Sequence, residues 1–196
     1  MFVNLMWREL DMQVQQKDIP GIAANLDKLF SGSEWKNRII AQNQMDRAFQ
    51  AASLLREKNE AKWCTPFFML RGSKAIRYVL LHFTNHDKGR NLMKDTMWSV
   101  SPLDGNFARK SDNLSQGLLS IVKEPDLRSV ENWVIQALKT SPKNWQQLSK
   151  YFLAENWRDK HLNDTIKKLI KDERIEVHGK QVKKANPLLS LKQSLR

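Results

Sequence analysis

Two apolar runs with strand-like composition lie in the first half of the chain, separated by a short polar segment. Lys62–Leu70 and Ile76–Thr84 are rich in aromatic and β-branched residues, and the segment that joins them contains Gly72. A short glycine-containing loop between two such runs predicts a β-hairpin. The second run is apolar around Leu80 and Leu81. An apolar run without alternation predicts burial on both faces of a sheet, so we expect both leucines to be buried.

Helical periodicity is predicted on both sides of this hairpin. A short strand over Met1–Leu5 and a helix over Trp7–Gln16 open the chain, because apolar residues recur there every four positions. Three further helices each have a capping or punctuating residue at the start. They run from Pro20 to Gly32, from Ser33 to Lys58 with an irregularity near Gln42–Gln44, and onward from a cap at His86 or Asp87.

Three amphipathic segments and two short β-rich runs follow in residues 129–185. The predicted helices begin at Ser129, at Pro142 to Asn144 and near Asp159, and the predicted strands are Arg174–His178 and Gln181–Lys184. Gly179 and Lys180 stand between these strands, which predicts a type II′ hairpin. Three helices and a hairpin are typical of a winged helix. The remaining tail, residues 186–196, is expected to form a last helical turn or to be disordered.

The stretch RYVLLHFTNHDKGRNLMKDTMW, residues 77–98, resembles the C-terminal part of the three-Cys-motif partner (TcmP) family. Val3–Met6, Leu26–Phe30 and Glu34-Trp35 extend the similarity over roughly residues 1–100. Proteins of this family are thought to be methyltransferase-like. The resemblance therefore implies that these residues form the closing part of a class I methyltransferase sheet, where the last strand runs antiparallel to its neighbours. The family's nucleotide-binding half has no counterpart in this sequence.

Together these patterns predict an α-rich α/β chain with two parts. We expect a truncated methyltransferase-like segment with a partial sheet and flanking helices over residues 1–100, and a winged-helix domain over residues 129–185. Turn-rich sequence over residues 101–128 predicts a linker between them.

The net charge favours a polyanionic partner. The chain has 33 Lys and Arg against 21 Asp and Glu, a formal charge of +12, and such an excess is typical of nucleic-acid binding. The alternative is a basic surface without a specific partner. Residues 120–196 hold 16 basic against 9 acidic side chains, and the first 119 hold 17 against 12, so the excess per residue is larger in the second part.

The third predicted helix of the second part carries the candidate contacts. Leu162, Ile166, Leu169 and Ile170 form its apolar stripe, and we expect these residues off the stripe: Lys160, His161, Asn163, Asp164, Lys167, Lys168 and Lys171. In a helix-turn-helix arrangement this is the helix that enters the major groove. We therefore predict that Lys160, Asn163, Lys167 and Lys168 contact nucleic acid, with Lys180 and Lys183 on the wing near phosphates. Duplex DNA is the expected partner.

No catalytic constellation is predicted. The glycines, at positions 21, 32, 72, 89, 105, 117 and 179, form no GxG sequence and no phosphate-binding loop. The backbone therefore lacks the turn that approaches a dinucleotide or S-adenosylmethionine. We expect no cofactor and no catalysis by this chain alone, and S-adenosylmethionine only if a missing half is supplied.

Metal and thiol chemistry are not expected either. His82 and His86 are four residues apart, but they are interpreted as a cap or core histidine rather than as metal ligands. Cys64 is the single cysteine, which predicts a buried structural thiol and a reducing, cytoplasmic compartment. No apolar run is long enough to span a bilayer, and the first residues lack the pattern of a signal peptide.

Two other functions stay open on sequence grounds. The chain is alternatively one half of a split or truncated S-adenosylmethionine-dependent methyltransferase, completed by a protein partner. The winged helix is alternatively a protein-interaction module, because such domains do both. A partial sheet also leaves an open edge, which makes a homodimer through the first part an expected possibility.

Overall fold

The computed structural model describes residues 1–71, 75–101, 108–110, 125–179 and 185–192. The chain divides into two compact units, Met1–Lys123 and Glu124–Arg196. Each unit combines helices with one small sheet, so the protein is a mixed α/β protein. Most of the predicted linker, residues 101–128, lies outside the described residues.

A four-stranded sheet and five helices make up the described part of the first unit. In chain order the elements are β1 (Phe2–Leu5), α1 (Trp7–Gln15), α2 (Pro20–Leu29), α3 (Trp35–Arg38), α4 (Gln44–Lys58), β2 (Trp63–Arg71), β3 (Ala75–Thr84), α5 (Asp87–Val100) and β4 (Ala108–Lys110). The strand order is β1-β3-β2-β4. Strand β3 is antiparallel to both neighbours, with Leu81 opposite Val3 on one side and Pro66 on the other. Strand β4 pairs with β2 in parallel.

The core of this unit lies between one face of the sheet and helices α1, α2 and α4. Trp7, Trp35 and Phe68 are fully buried there. Helix α5 covers the opposite face of β2, where the Arg90 guanidinium donates a 2.5 Å hydrogen bond to Thr65 Oγ1. The hairpin β2–β3 is therefore confirmed.

Burial of β3 on both faces is only partly confirmed. Leu81 has no exposed surface and lies in the core. Leu80 faces the other side of the sheet and is half-buried. Because α5 packs more closely on β2 than on β3, the second face of β3 is covered only in part.

The helix predicted over residues 33–58 is divided in two, and the break at residues 39–43 lies next to the irregularity expected near Gln42–Gln44. Helices α3 and α4 are separate, and residues 39–43 between them have their backbone groups bound by side chains from α4. Gln50 Oε1 accepts hydrogen bonds from two backbone N–H groups of this segment, and the Arg47 guanidinium donates to two of its carbonyls. Asn43 then caps α4 by accepting a 2.8 Å hydrogen bond from a backbone N–H of the first turn. These polar contacts replace the helical hydrogen bonds that the break removes.

Three helices and a three-stranded antiparallel sheet make up the described part of the second unit. The elements are α6 (Arg128–Thr140), β5 (Lys143–Asn144), α7 (Trp145–Phe152), α8 (Asp159–Lys171), β6 (Ile175–His178) and β7 (Leu188–Leu191), with strand order β5-β7-β6. The core is formed by apolar residues of all three helices together with Ile175 and Leu189 of the sheet.

Two predictions in this unit are corrected. Helix α6 begins at Arg128 with Leu127 at the N-cap position, so Ser129 lies inside the helix and does not cap it. The partner of β6 is Leu188–Leu191, where a helical turn or disorder was expected. Residues 181–184, the predicted second strand, and Lys180 of the predicted type II′ turn lie outside the described residues.

The position of β7 has a packing reason. Leu189 has no exposed surface and completes the core between the sheet and the helices, and an alternating strand buries every second side chain. Nine residues, Gly179 to Pro187, connect β6 to β7. Gly179 has φ of 114°, a conformation that favours glycine.

Among the described residues, no helix has both the length and the apolar composition needed to cross a membrane.

Candidate nucleic-acid interface

Helix α8 separates an apolar face from a basic one. Leu162, Ile166 and Leu169 have no exposed surface and pack in the core of the second unit. With 3.6 residues per turn, three exposed lysines share the opposite face, and we call them the lysine stripe: Lys160, Lys167 and Lys171. They span about 16 Å along the helix axis at 1.5 Å per residue.

The start of α7 is fixed by side-chain capping. Asn144 Oδ1 accepts a 2.9 Å hydrogen bond from the backbone N–H of Gln147, and Gln147 Oε1 accepts one from the backbone N–H of Asn144. This reciprocal pair satisfies two of the N–H groups that have no partner within the helix. Helix α7 begins at Trp145 with Asn144 as its N-cap, so the start predicted at Pro142 to Asn144 is confirmed at Asn144.

Two hydrogen bonds fix α8 relative to α7. Trp145 Nε1 donates to Asn163 Oδ1 at 2.7 Å, and Ser149 Oγ donates to Asp159 Oδ1 at 3.3 Å. Asn163, a predicted nucleic-acid contact, is half-buried and has its side-chain carbonyl engaged inside the unit. This hydrogen bond helps to position α8 against α7.

Lys168 lies on the flank of α8 that faces α6. Its ammonium forms an ion pair with the carboxylate of Glu131, whose side chain is 13% exposed. This hydrogen bond raises the pKa of Lys168. Arg174 approaches the same carboxylate, with Nη1 3.7 Å from Oε2. The structure thus separates Lys168 from the lysine stripe, although the sequence grouped them together.

His161 is not on the exposed side of α8. It is 7% exposed, its ring lies 5.3 Å from the ring of Trp157, and its Nδ1 accepts a 3.4 Å hydrogen bond from the backbone N–H of Arg158. The expectation that His161 lies among the polar residues off the apolar stripe is wrong. Its side chain is buried at the start of α8, against Trp157.

The segment between β6 and β7 is hydrogen-bonded to α7 near the start of β7. Asn186 Oδ1 accepts a 2.9 Å hydrogen bond from the backbone N–H of Gln146. At the first end, His178 Nε2 lies 2.8 Å from Ser190 Oγ across the strands. The predicted wing contacts, Lys180 and Lys183, lie outside the described residues.

Several other basic residues of this unit have partners inside it. Lys192 pairs with Glu173 at 2.7 Å and Arg128 with Asp126 at 2.5 Å. The ammonium of Lys143 donates to the carbonyls of Ala137 and Ser141 at the end of α6. No described ion pair or hydrogen bond engages the ammonium groups of the lysine stripe. Lys171, which the sequence placed off the apolar stripe but not among the contacts, belongs to it because it follows Lys167 by four residues.

The histidines and the cysteine of the first unit have structural surroundings. His82 is half-buried on β3 with its ring 4.8 Å from that of Phe2, and burial lowers its pKa. His86 occupies the N-cap position of α5 without a side-chain capping bond. Burial raises the pKa of the Cys64 thiol to about 12, so it is protonated near neutral pH. Within the described ranges, no three His, Cys, Asp or Glu side chains are grouped so that they could hold a metal ion.

Comparisons with models of protein families, with curated proteins and with solved structures find no match to this chain.

Proposed function

We propose that the second unit is a winged-helix module that binds duplex nucleic acid, and that duplex DNA is its partner. The order helix, short strand, two helices and a pair of strands supports the winged-helix assignment. The observation that carries the proposal is the lysine stripe of α8. It presents three ammonium groups without described partners on the helix that follows α7, with the opposite face of α8 fully buried.

The physical argument is electrostatic. Each lysine that contacts a phosphate releases condensed counterions, so binding weakens steeply as salt rises. A single α-helix fits into the major groove of B-DNA, and a stripe about 16 Å long reaches phosphates toward both ends of that contact. The basic character of the whole chain, +12, strengthens the attraction without selecting a sequence.

Fluorescence anisotropy with a labelled DNA duplex, at several salt concentrations, tests the proposal. We expect binding by the full chain, with a linear fall of log affinity against log salt. The variant Lys160→Ala/Lys167→Ala/Lys171→Ala should bind more weakly to every duplex and flatten the slope by about 2.7 units, at about 0.9 per lost contact.

A matched control removes three charges elsewhere. The substitutions Lys17→Ala, Lys28→Ala and Lys88→Ala change exposed lysines of the first unit and give the same net charge. If both triple variants weaken binding equally, the attraction is general and α8 is not the contact surface. If the parent chain does not bind duplex DNA, the proposal is refuted, and the alternative that the winged helix is a protein-interaction module is favoured.

A second candidate function concerns the first unit, which we infer to be a methyltransferase-like segment related to the TcmP family. Strand β3 runs antiparallel to both β1 and β2, as the resemblance implies for the last strand of such a sheet. The sequence contains no glycine loop for the cofactor. Isothermal calorimetry should therefore show no S-adenosylmethionine binding by this chain. Micromolar binding would favour the methyltransferase alternative.

A further inference from the structure

One acidic residue lies within the basic face of α8. Asp164 is half-buried and, at about 100° per residue, it projects about 40° from Lys160 and about 20° from Lys171 around the helix axis. It is about 6 Å along the axis from the first of these lysines and about 10 Å from the second. The carboxylate is therefore near the middle of the lysine stripe.

Asp164 has two potential ion-pair partners on its own helix, at the spacing of four residues that favours such pairs. Lys168 instead binds Glu131 of α6. Lys160 forms no described ion pair, and no described hydrogen bond or ion pair engages the Asp164 carboxylate. A free carboxylate at this position opposes contacts with phosphates, so it weakens a surface that serves only to bind the backbone of a duplex.

We propose, on the basis of the nucleic-acid-binding function above, that Asp164 reads a base edge, accepting a hydrogen bond from the exocyclic amino group of cytosine in the major groove. Among the base edges there, the cytosine N4 amino group is a donor that a carboxylate selects. The lysines on either side contact phosphates and hold the helix in the groove. The neighbouring Asn163 has its carbonyl engaged by Trp145, which leaves Asp164 as the acceptor at the centre of this face.

The experiment compares the sequence preference of the full chain with that of three variants. Binding sites are first selected from duplexes with a randomised segment, and affinities are then measured for duplexes that differ at a single base pair. We expect the parent to prefer cytosine at one position by about fivefold to tenfold, the lower part of the range for a direct base contact. Asp164→Ala should abolish that preference, and Asp164→Asn should shift it toward adenine, which asparagine recognises.

Asp172→Ala is the control for loss of charge. Asp172 is exposed at the C-cap of α8, so its removal should tighten binding to all sequences slightly and leave the cytosine preference intact. Thermal unfolding of each variant establishes that the fold is kept.

Three results would overturn the inference. If Asp164→Ala tightens binding to every sequence equally, the carboxylate acts only as a charge. If the parent binds duplex with no preference at any position, Asp164 reads no base, yet the proposed function stands. If the parent binds no duplex, the proposed function fails and this inference fails with it.

Discussion

Two adjacent lysines of α8 should behave differently in nucleic-acid binding. The sequence groups Lys167 and Lys168 as contacts. The structure exposes Lys167 without a described partner, whereas Lys168 binds Glu131. We therefore expect Lys167→Ala to flatten the log–log salt slope by about 0.9 units and Lys168→Ala to leave it unchanged.

The size of the effect follows from counterion release. Between 50 and 200 mM salt, a fourfold change, one phosphate contact with a slope of about 0.9 accounts for an affinity change of about 3.5-fold. The ratio of affinities at these two concentrations should thus shrink by about that factor in Lys167→Ala and stay as in the parent for Lys168→Ala. Anisotropy titrations with one labelled duplex measure both ratios directly.

The two substitutions should affect thermal stability in the opposite order to their effects on binding. Lys168→Ala leaves the largely buried Glu131 carboxylate with Arg174 alone, at 3.7 Å, so it should lower the melting temperature more than Lys167→Ala does. Lys139→Ala, at an exposed position of α6, serves as control for both readouts. Equal flattening of the slope by the two α8 substitutions would refute the reasoning, because it would mean that the Lys168–Glu131 pair opens on binding.

The remaining predictions concern the first unit. Asp11→Ala should lower the free energy of unfolding by about 3 kcal/mol in a denaturant titration, because it leaves the guanidinium of Arg47 without a counter-charge in a largely buried site. The side chains of Asp11 and Arg47 are 7% and 12% exposed, and a loss below about 0.5 kcal/mol would show that the pair is solvated. Leu81→Ala should lower the free energy of unfolding by about 2–5 kcal/mol, and Leu80→Ala should lower it clearly less, because Leu81 is fully buried and Leu80 is half-buried. Equal losses of stability would mean that both faces of β3 are covered equally. Cys64 is half-buried, and burial raises the pKa of its thiol to about 12. It should react with a disulfide reagent at pH 8 at least about a hundredfold more slowly than in denaturant, and a rate like that of the unfolded chain would contradict the raised pKa.

The sequence by itself determined the elements whose signals lie within a short stretch of residues. The β2–β3 hairpin follows from two apolar runs around a short segment. Helix α8 follows from the spacing of Leu162, Ile166 and Leu169, which also predicts that Lys160 and Lys167 are exposed. Asn144 predicts the start of α7, because its cap and its partner Gln147 lie within one turn. In each case the interacting residues are neighbours in sequence, so the pattern contains the information.

Contacts between residues distant in sequence were decided only by the tertiary structure. Lys168 and Asn163 have the spacing of exposed polar residues, but Glu131, 37 residues before Lys168, and Trp145, 18 before Asn163, engage them. The break before α4 likewise depends on the pairing of Arg47 with Asp11, 36 residues apart.

The choice of the last strand shows the physical reason most clearly. The tail sequence predicted a helical turn or disorder, but Leu189 fills the core of the second unit and Leu188–Leu191 forms β7 beside β6. Burial of such an apolar side chain is worth roughly 1.5–3 kcal/mol. That energy exists only when the helices that enclose the site are in place, so the local sequence does not reveal it.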